Sequence, residues 1–77
     1  MACIKPDGKP TRAGLSILSS LAGAALTPEE VSAQAALPLF RVRSGLRELA
    51  DAGYVVHEGY QVYALSTKGR AAIAEPV

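Results

Sequence analysis

The first helix of the chain is predicted by apolar residues that recur every three or four positions after Thr11. Leu15, Leu18 and Ala22 share one stripe at this spacing, which is the spacing of one face of an α-helix. The pattern therefore predicts a helix from Thr11 to about Ala24.

A second helix is predicted to begin at Pro28, where several start signals coincide. Thr27 is a good N-cap residue, Pro28 suits the first helical position, and Glu30 completes a capping box with Thr27. Val31 then points to the core. Pro38 ends the helix, because the residue before a proline is pushed out of the α region.

The third helix has the clearest apolar stripe, formed by Val42, Leu46 and Leu49. It is predicted to start at Pro38 or the next residue. Gly53 is expected to end it in the left-handed conformation that glycine adopts at helix C-termini.

A short β-hairpin and a last helix follow. The runs 54–57 and 60–65 are rich in Val and Tyr, and Glu58-Gly59 between them predicts a two-residue loop with a positive φ at Gly59. Ser66 can cap a final helix over residues 67–74. The predicted order is three helices, a hairpin and a helix, so the fold class is mostly α with a small β-hairpin.

The size of the chain allows one domain and no more. It has 77 residues, of which 49% are hydrophobic, and its formal net charge is +1. Residues 1–10 contain two prolines, one glycine and no apolar periodicity, which predicts a flexible N-terminal arm. The domain is therefore expected to cover residues 11–77.

The residue types disfavour enzyme chemistry. The chain has one histidine, one cysteine and scattered carboxylates, and it has none of the glycine-rich phosphate motifs. We therefore expect no catalytic activity, no metal, no cofactor and no small-molecule ligand. Cys3 cannot form an internal disulfide, and no apolar run approaches the roughly 20 residues of a membrane span, so a cytoplasmic protein is expected.

Two stretches carry a resemblance to a known family. Residues 46–55 (LRELADAGYV) and 62–70 (VYALSTKGR) follow the capping box at 27–30. In this order and at this separation they resemble the winged helix-turn-helix domains of prokaryotic transcriptional regulators of the multiple-antibiotic-resistance-regulator (MarR) group. The resemblance implies double-stranded DNA as the partner, a recognition helix at about 38–52 in the major groove, and a hairpin that serves as the wing.

Helix periodicity places basic residues on the outer face of the third helix. Three arginines and no acid lie between Leu37 and Arg47, and an arginine can bind guanine or phosphate in two-point contacts. With the implied wing, the predicted DNA-binding residues are Phe40, Arg41, Arg43, Ser44, Arg47, Tyr60 and Gln61. Arg43 and Arg47 are assigned to base edges and Arg41 to phosphate. The alternative is a winged-helix module that binds a protein through its apolar residues and does not bind DNA.

A homodimer is predicted from the first helix. Residues 13–26 contain no charged side chain, and their apolar arc is wider than one core requires. A second copy of the chain would cover the excess, through a face that includes Ala13, Ile17, Ser20 and Ala24. The alternative is that residues such as Ile4 and Ile73 cover this face within one monomer.

Overall fold

A computed structural model describes residues 3–74 of the chain; residues 75–77 of the predicted domain lie outside the described part. Four helices and one antiparallel hairpin follow one another along the sequence. They are α1 (Arg12–Ser20), α2 (Pro28–Ala35), α3 (Leu39–Asp51), β1 (Val55–Gly59), β2 (Val62–Leu65) and α4 (Thr67–Ala74). The predicted order of elements is confirmed.

Helix α1 begins where the sequence predicts and ends four residues early. Thr11 caps it by accepting a hydrogen bond from the amide of Gly14, at 3.2 Å. The helix ends at Ser20, whereas a helix to about Ala24 was expected. Both Leu21 and Leu26 are buried while the four residues between them are exposed, a five-residue spacing that no single helix face provides. The chain therefore leaves the helix to bring Leu26 back to the core.

Caps define the other helices as the sequence predicts. The capping box of α2 is complete: Glu30 Oε1 accepts from the Thr27 amide at 2.9 Å, and Thr27 Oγ1 accepts from the Glu30 amide at 3.2 Å. Gly53 has a φ of +88° after α3. At α4, Ser66 Oγ accepts from the Gly69 amide at 3.1 Å.

The turn of the hairpin differs from the prediction. Strand β1 continues through Glu58 and Gly59, and the connecting residues are Tyr60 and Gln61. Gln61, not Gly59, has the positive φ, at +57°. A bulge between His57 and Gly59 shifts the register of the two strands. Strand β1 therefore includes Glu58 and Gly59, which were predicted to form the loop.

Residues 3–10 of the N-terminal segment, expected to be a flexible arm, are folded against the domain; residues 1 and 2 lie outside the described part. Cys3 is buried, its carbonyl accepts from the Thr11 amide at 2.9 Å, and its amide donates to Glu48 at 3.2 Å. The Tyr54 hydroxyl donates to the carbonyl of Gly8 at 2.8 Å, which holds the tip of the loop. The segment lacks periodicity, yet the burial of Cys3 anchors its beginning and the Tyr54 contact anchors the tip of its loop. Burial raises the pKa of the Cys3 thiol, and nearby Glu48 acts in the same direction.

One continuous core joins all the elements. The most deeply buried side chains come from all three of the first helices and from β1: Ile17, Leu18, Val31, Val42, Leu46, Leu49 and Val55. Leu26 exchanges two backbone hydrogen bonds with Tyr63, at 2.8 and 3.0 Å, and so ties the segment before α2 to the hairpin. Among residues 3–74, no helix is both long enough and apolar enough to cross a lipid bilayer.

Gly69 of α4 packs closely against the backbone of Tyr54, the residue before the hairpin. A Cβ at this position would collide with the carbonyl oxygen of Tyr54 and lie 3.1 Å from Leu65 Cδ2. We expect Gly69→Ala to lower the free energy of unfolding by about 2 kcal/mol or more, because backbone cannot move aside cheaply. Urea denaturation measures the loss. Gly59→Ala is the control, since no atom lies within 4 Å of its Cβ position, and an equal loss in both variants would contradict the prediction.

Candidate nucleic-acid interface

Helix α3 presents a basic face to solvent, as its periodicity predicts. Val42, Leu46 and Leu49 are fully buried, which rotates the other side of the helix outward. The exposed side carries Phe40, Arg41, Arg43, Ser44 and Arg47. Every candidate DNA-binding residue of the third helix is therefore accessible.

The second feature is an open groove of about 430 Å³ between α3 and the hairpin. Arg43 and Arg47 line it from the helix, and Tyr60 and Gln61 line it from the turn. The groove brings together four of the seven residues that were predicted to bind DNA from two separate elements. Tyr60 is 90% exposed, so its ring projects from the rim.

Four further residues, which the sequence did not assign to a binding site, line the groove: Pro28, His57, Gly59 and Tyr63. The rings of His57 and Tyr63 are cross-strand neighbours with centroids 4.4 Å apart. No alternation pattern points to Tyr63, because Gln61 lies in the turn with a positive φ, outside strand β2. The hairpin thus contributes aromatic surface to the groove.

The two arginines of the groove differ in their surroundings. Arg43 Nη2 lies 3.0 Å from Glu29 Oε2 in an ion pair between α3 and α2, with side chains 54% and 53% exposed. Arg47 has no ion-pair partner among residues 3–74. Because no ion pair engages its guanidinium group within the described residues, Arg47 is more available to an anion than Arg43.

The remaining helix residues lie outside the groove. Phe40 is 70% exposed at the first turn of α3, and the Arg41 guanidinium carbon is 6.0 Å from the centre of its ring. Ser44 is exposed on the same helix. A partner that fills the groove and also extends along the exposed face of α3 would contact Phe40, Arg41 and Ser44.

The residues predicted for the dimer face do not form one surface. Ile17 is completely buried in the core of a single chain, and Ala24 lies beyond the end of α1 in an exposed loop. Ala13 and Ser20 are half-buried. Ile4 and Ile73 pack against the same core, as in the monomeric alternative. Ile17 is therefore a core residue, and the homodimer itself stays a prediction.

The chain matches no protein-family model, no curated protein and no solved structure. The kind of partner is therefore inferred from the side chains that line the groove. Two guanidinium groups, the aromatic rings of the hairpin and an amide side chain face one open groove. Such a set suits a partner that combines negative charge with flat polar edges.

Proposed function

We propose that this protein is a small winged helix-turn-helix regulator that binds double-stranded DNA. In this arrangement α3 is the recognition helix in the major groove and the β1–β2 hairpin is the wing. The observation that carries the proposal is the shared groove, in which Arg43 and Arg47 of α3 face Tyr60 and Gln61 of the hairpin.

The dimensions and chemistry of α3 suit the major groove. A helix of 13 residues is roughly 20 Å long, and the major groove, about 12 Å wide, admits an α-helix. Arginine can bind the O6 and N7 atoms of guanine in two-point contacts, which supports Arg43 and Arg47 as base-reading residues. Phe40 would contact a thymine methyl group and Arg41 a phosphate.

The charge distribution supports local attraction to DNA. The net charge is only +1, so the chain as a whole attracts a polyanion weakly. Glu58, the acid of the hairpin, lies with Arg70 on a different surface from the groove. Glu29 is the acid that contacts an arginine of the groove, Arg43. A regulator of this kind would act in the cytoplasm.

A salt titration tests the proposal. Fluorescence anisotropy with a random-sequence 20-base-pair duplex is measured at 50 and 200 mM salt. On random-sequence duplex Arg41 and Arg47 would contact phosphates while Arg43 stays paired with Glu29, so about two counterions are released and the affinity falls roughly 12-fold between the two conditions. No binding at 50 mM salt with tens of micromolar protein would refute the proposed function.

A second candidate function is a protein-docking module. Phe40 favours it, because its ring is 70% exposed outside the groove and aromatic residues are enriched in protein–protein interfaces. Binding of a protein through Phe40 would depend little on salt. The same two salt concentrations therefore separate the two candidates.

A further inference from the structure

We infer that Glu29 is a specificity-determining residue of the proposed DNA site, which restrains Arg43 from binding bare phosphate. This inference rests on the proposed function. Glu29 pairs with Arg43 at 3.0 Å on the rim of the groove, while Arg47, one helical turn further along α3, is unpaired within residues 3–74. The two arginines therefore present different effective charges to the same partner.

The two acids at the start of α2 have different partners. Glu30 is used by the capping box, where its Oε1 accepts from both the Thr27 amide and the Thr27 hydroxyl. Glu29 is left to face α3 and reaches Arg43. Both carboxylates lie in the first turn, where the helix dipole favours negative charge. The capping box thus leaves the Glu29 carboxylate available to pair with Arg43.

Glu29 competes with the DNA phosphates for the guanidinium group of Arg43. A phosphate that binds Arg43 either displaces the Glu29 carboxylate or shares the guanidinium group with it, and in both cases two negative charges lie close together. A guanine edge is uncharged and accepts hydrogen bonds from Arg43 without that repulsion. Glu29 consequently weakens sequence-independent binding more than binding to a matching base, which is how a repulsive element produces specificity.

Glu29→Gln removes the charge and keeps the size and polarity of the side chain. We expect it to raise the affinity for random-sequence duplex at 50 mM salt by roughly two- to fivefold, the worth of an exposed ion pair. The slope of log affinity against log salt should steepen by about 0.9, because Arg43 gains a phosphate contact. A thermal melt of each variant shows whether the fold is intact.

Glu58→Gln is the matched control, since it makes the same change in net charge on a surface away from the groove. A double-mutant cycle with Arg43→Ala then isolates the mechanism. If Glu29 acts through Arg43, Glu29→Gln raises affinity in the wild type and has little effect in the Arg43→Ala background. An equal increase in both backgrounds, or the same increase from Glu58→Gln, overturns the inference.

The outcomes distinguish this inference from the proposed function. If the wild type does not bind duplex at all, the proposed function fails and the role of Glu29 fails with it. If the wild type binds with the expected salt dependence and Glu29→Gln changes neither affinity nor slope, only the role of Glu29 is refuted.

Discussion

Ile17→Glu is expected to unfold the domain at 25 °C. Ile17 is 0% exposed, and its Cδ1 atom lies 2.8 Å from where a Cβ on Gly45 of α3 would be, so α1 and α3 are in close contact there. A carboxylate at this position would be an unpaired buried charge that costs several kcal/mol. A domain of this size has only about 3–5 kcal/mol of stability, so the substitution removes most or all of it. Circular dichroism and thermal denaturation measure the loss.

Ala24→Glu is the control for Ile17→Glu, because Ala24 lies in an exposed loop after α1. It should change the free energy of unfolding by less than about 0.5 kcal/mol. Sedimentation equilibrium of the same proteins tests the predicted homodimer. A folded, monomeric Ile17→Glu variant beside a dimeric wild type would show that Ile17 belongs to an interface after all and would contradict the packing described above.

Arg47→Ala is expected to produce the largest loss of DNA affinity among single substitutions of α3. Arg47 faces the groove and has no ion-pair partner among residues 3–74, so its whole charge and all its donors are available to DNA. The expected cost on a matching site is about 1–3 kcal/mol, a five- to 150-fold weaker binding. Its side chain is exposed, so the melting temperature should stay within about 2 °C of the wild type. Fluorescence anisotropy and a thermal melt provide the two measurements.

Arg70→Ala is the charge-matched control for Arg47→Ala. Arg70 is exposed on α4 and lies with Glu58 on the surface away from the groove. Its removal should reduce affinity only through the weak effect of net charge. Equal losses in the two variants would mean that the groove is not the binding surface. An unchanged affinity in Arg47→Ala would remove α3 from the proposed interface.

The helices were predicted well where short-range chemistry decides their ends. The signals that start α2 come from three residues within one helical turn: Thr27, Pro28 and Glu30. Gly53 follows α3 with the positive φ that glycine adopts most easily. Ser66 caps the start of α4. These signals depend on neighbours in the sequence, so they survive in whatever fold the chain adopts.

The missed features all depend on contacts between distant parts of the chain. The end of α1 follows from the need to bring Leu26 to Tyr63, 37 residues later. The N-terminal segment is held by Tyr54, which donates to Gly8 across 46 residues. The turn at Tyr60 and Gln61 was misplaced because a bulge absorbed Gly59 into the strand. No local pattern contains this information.

The same division applies to the candidate site. The sequence by itself determined that Arg43 and Arg47 lie on the outer face of α3, because helical periodicity and a three-residue apolar stripe decide which side is buried. Only the tertiary structure decided what faces them: Glu29 from α2, and the ring pair of His57 and Tyr63 from the hairpin. Periodicity is a property of one element, whereas the distance between two elements depends on how their cores pack together.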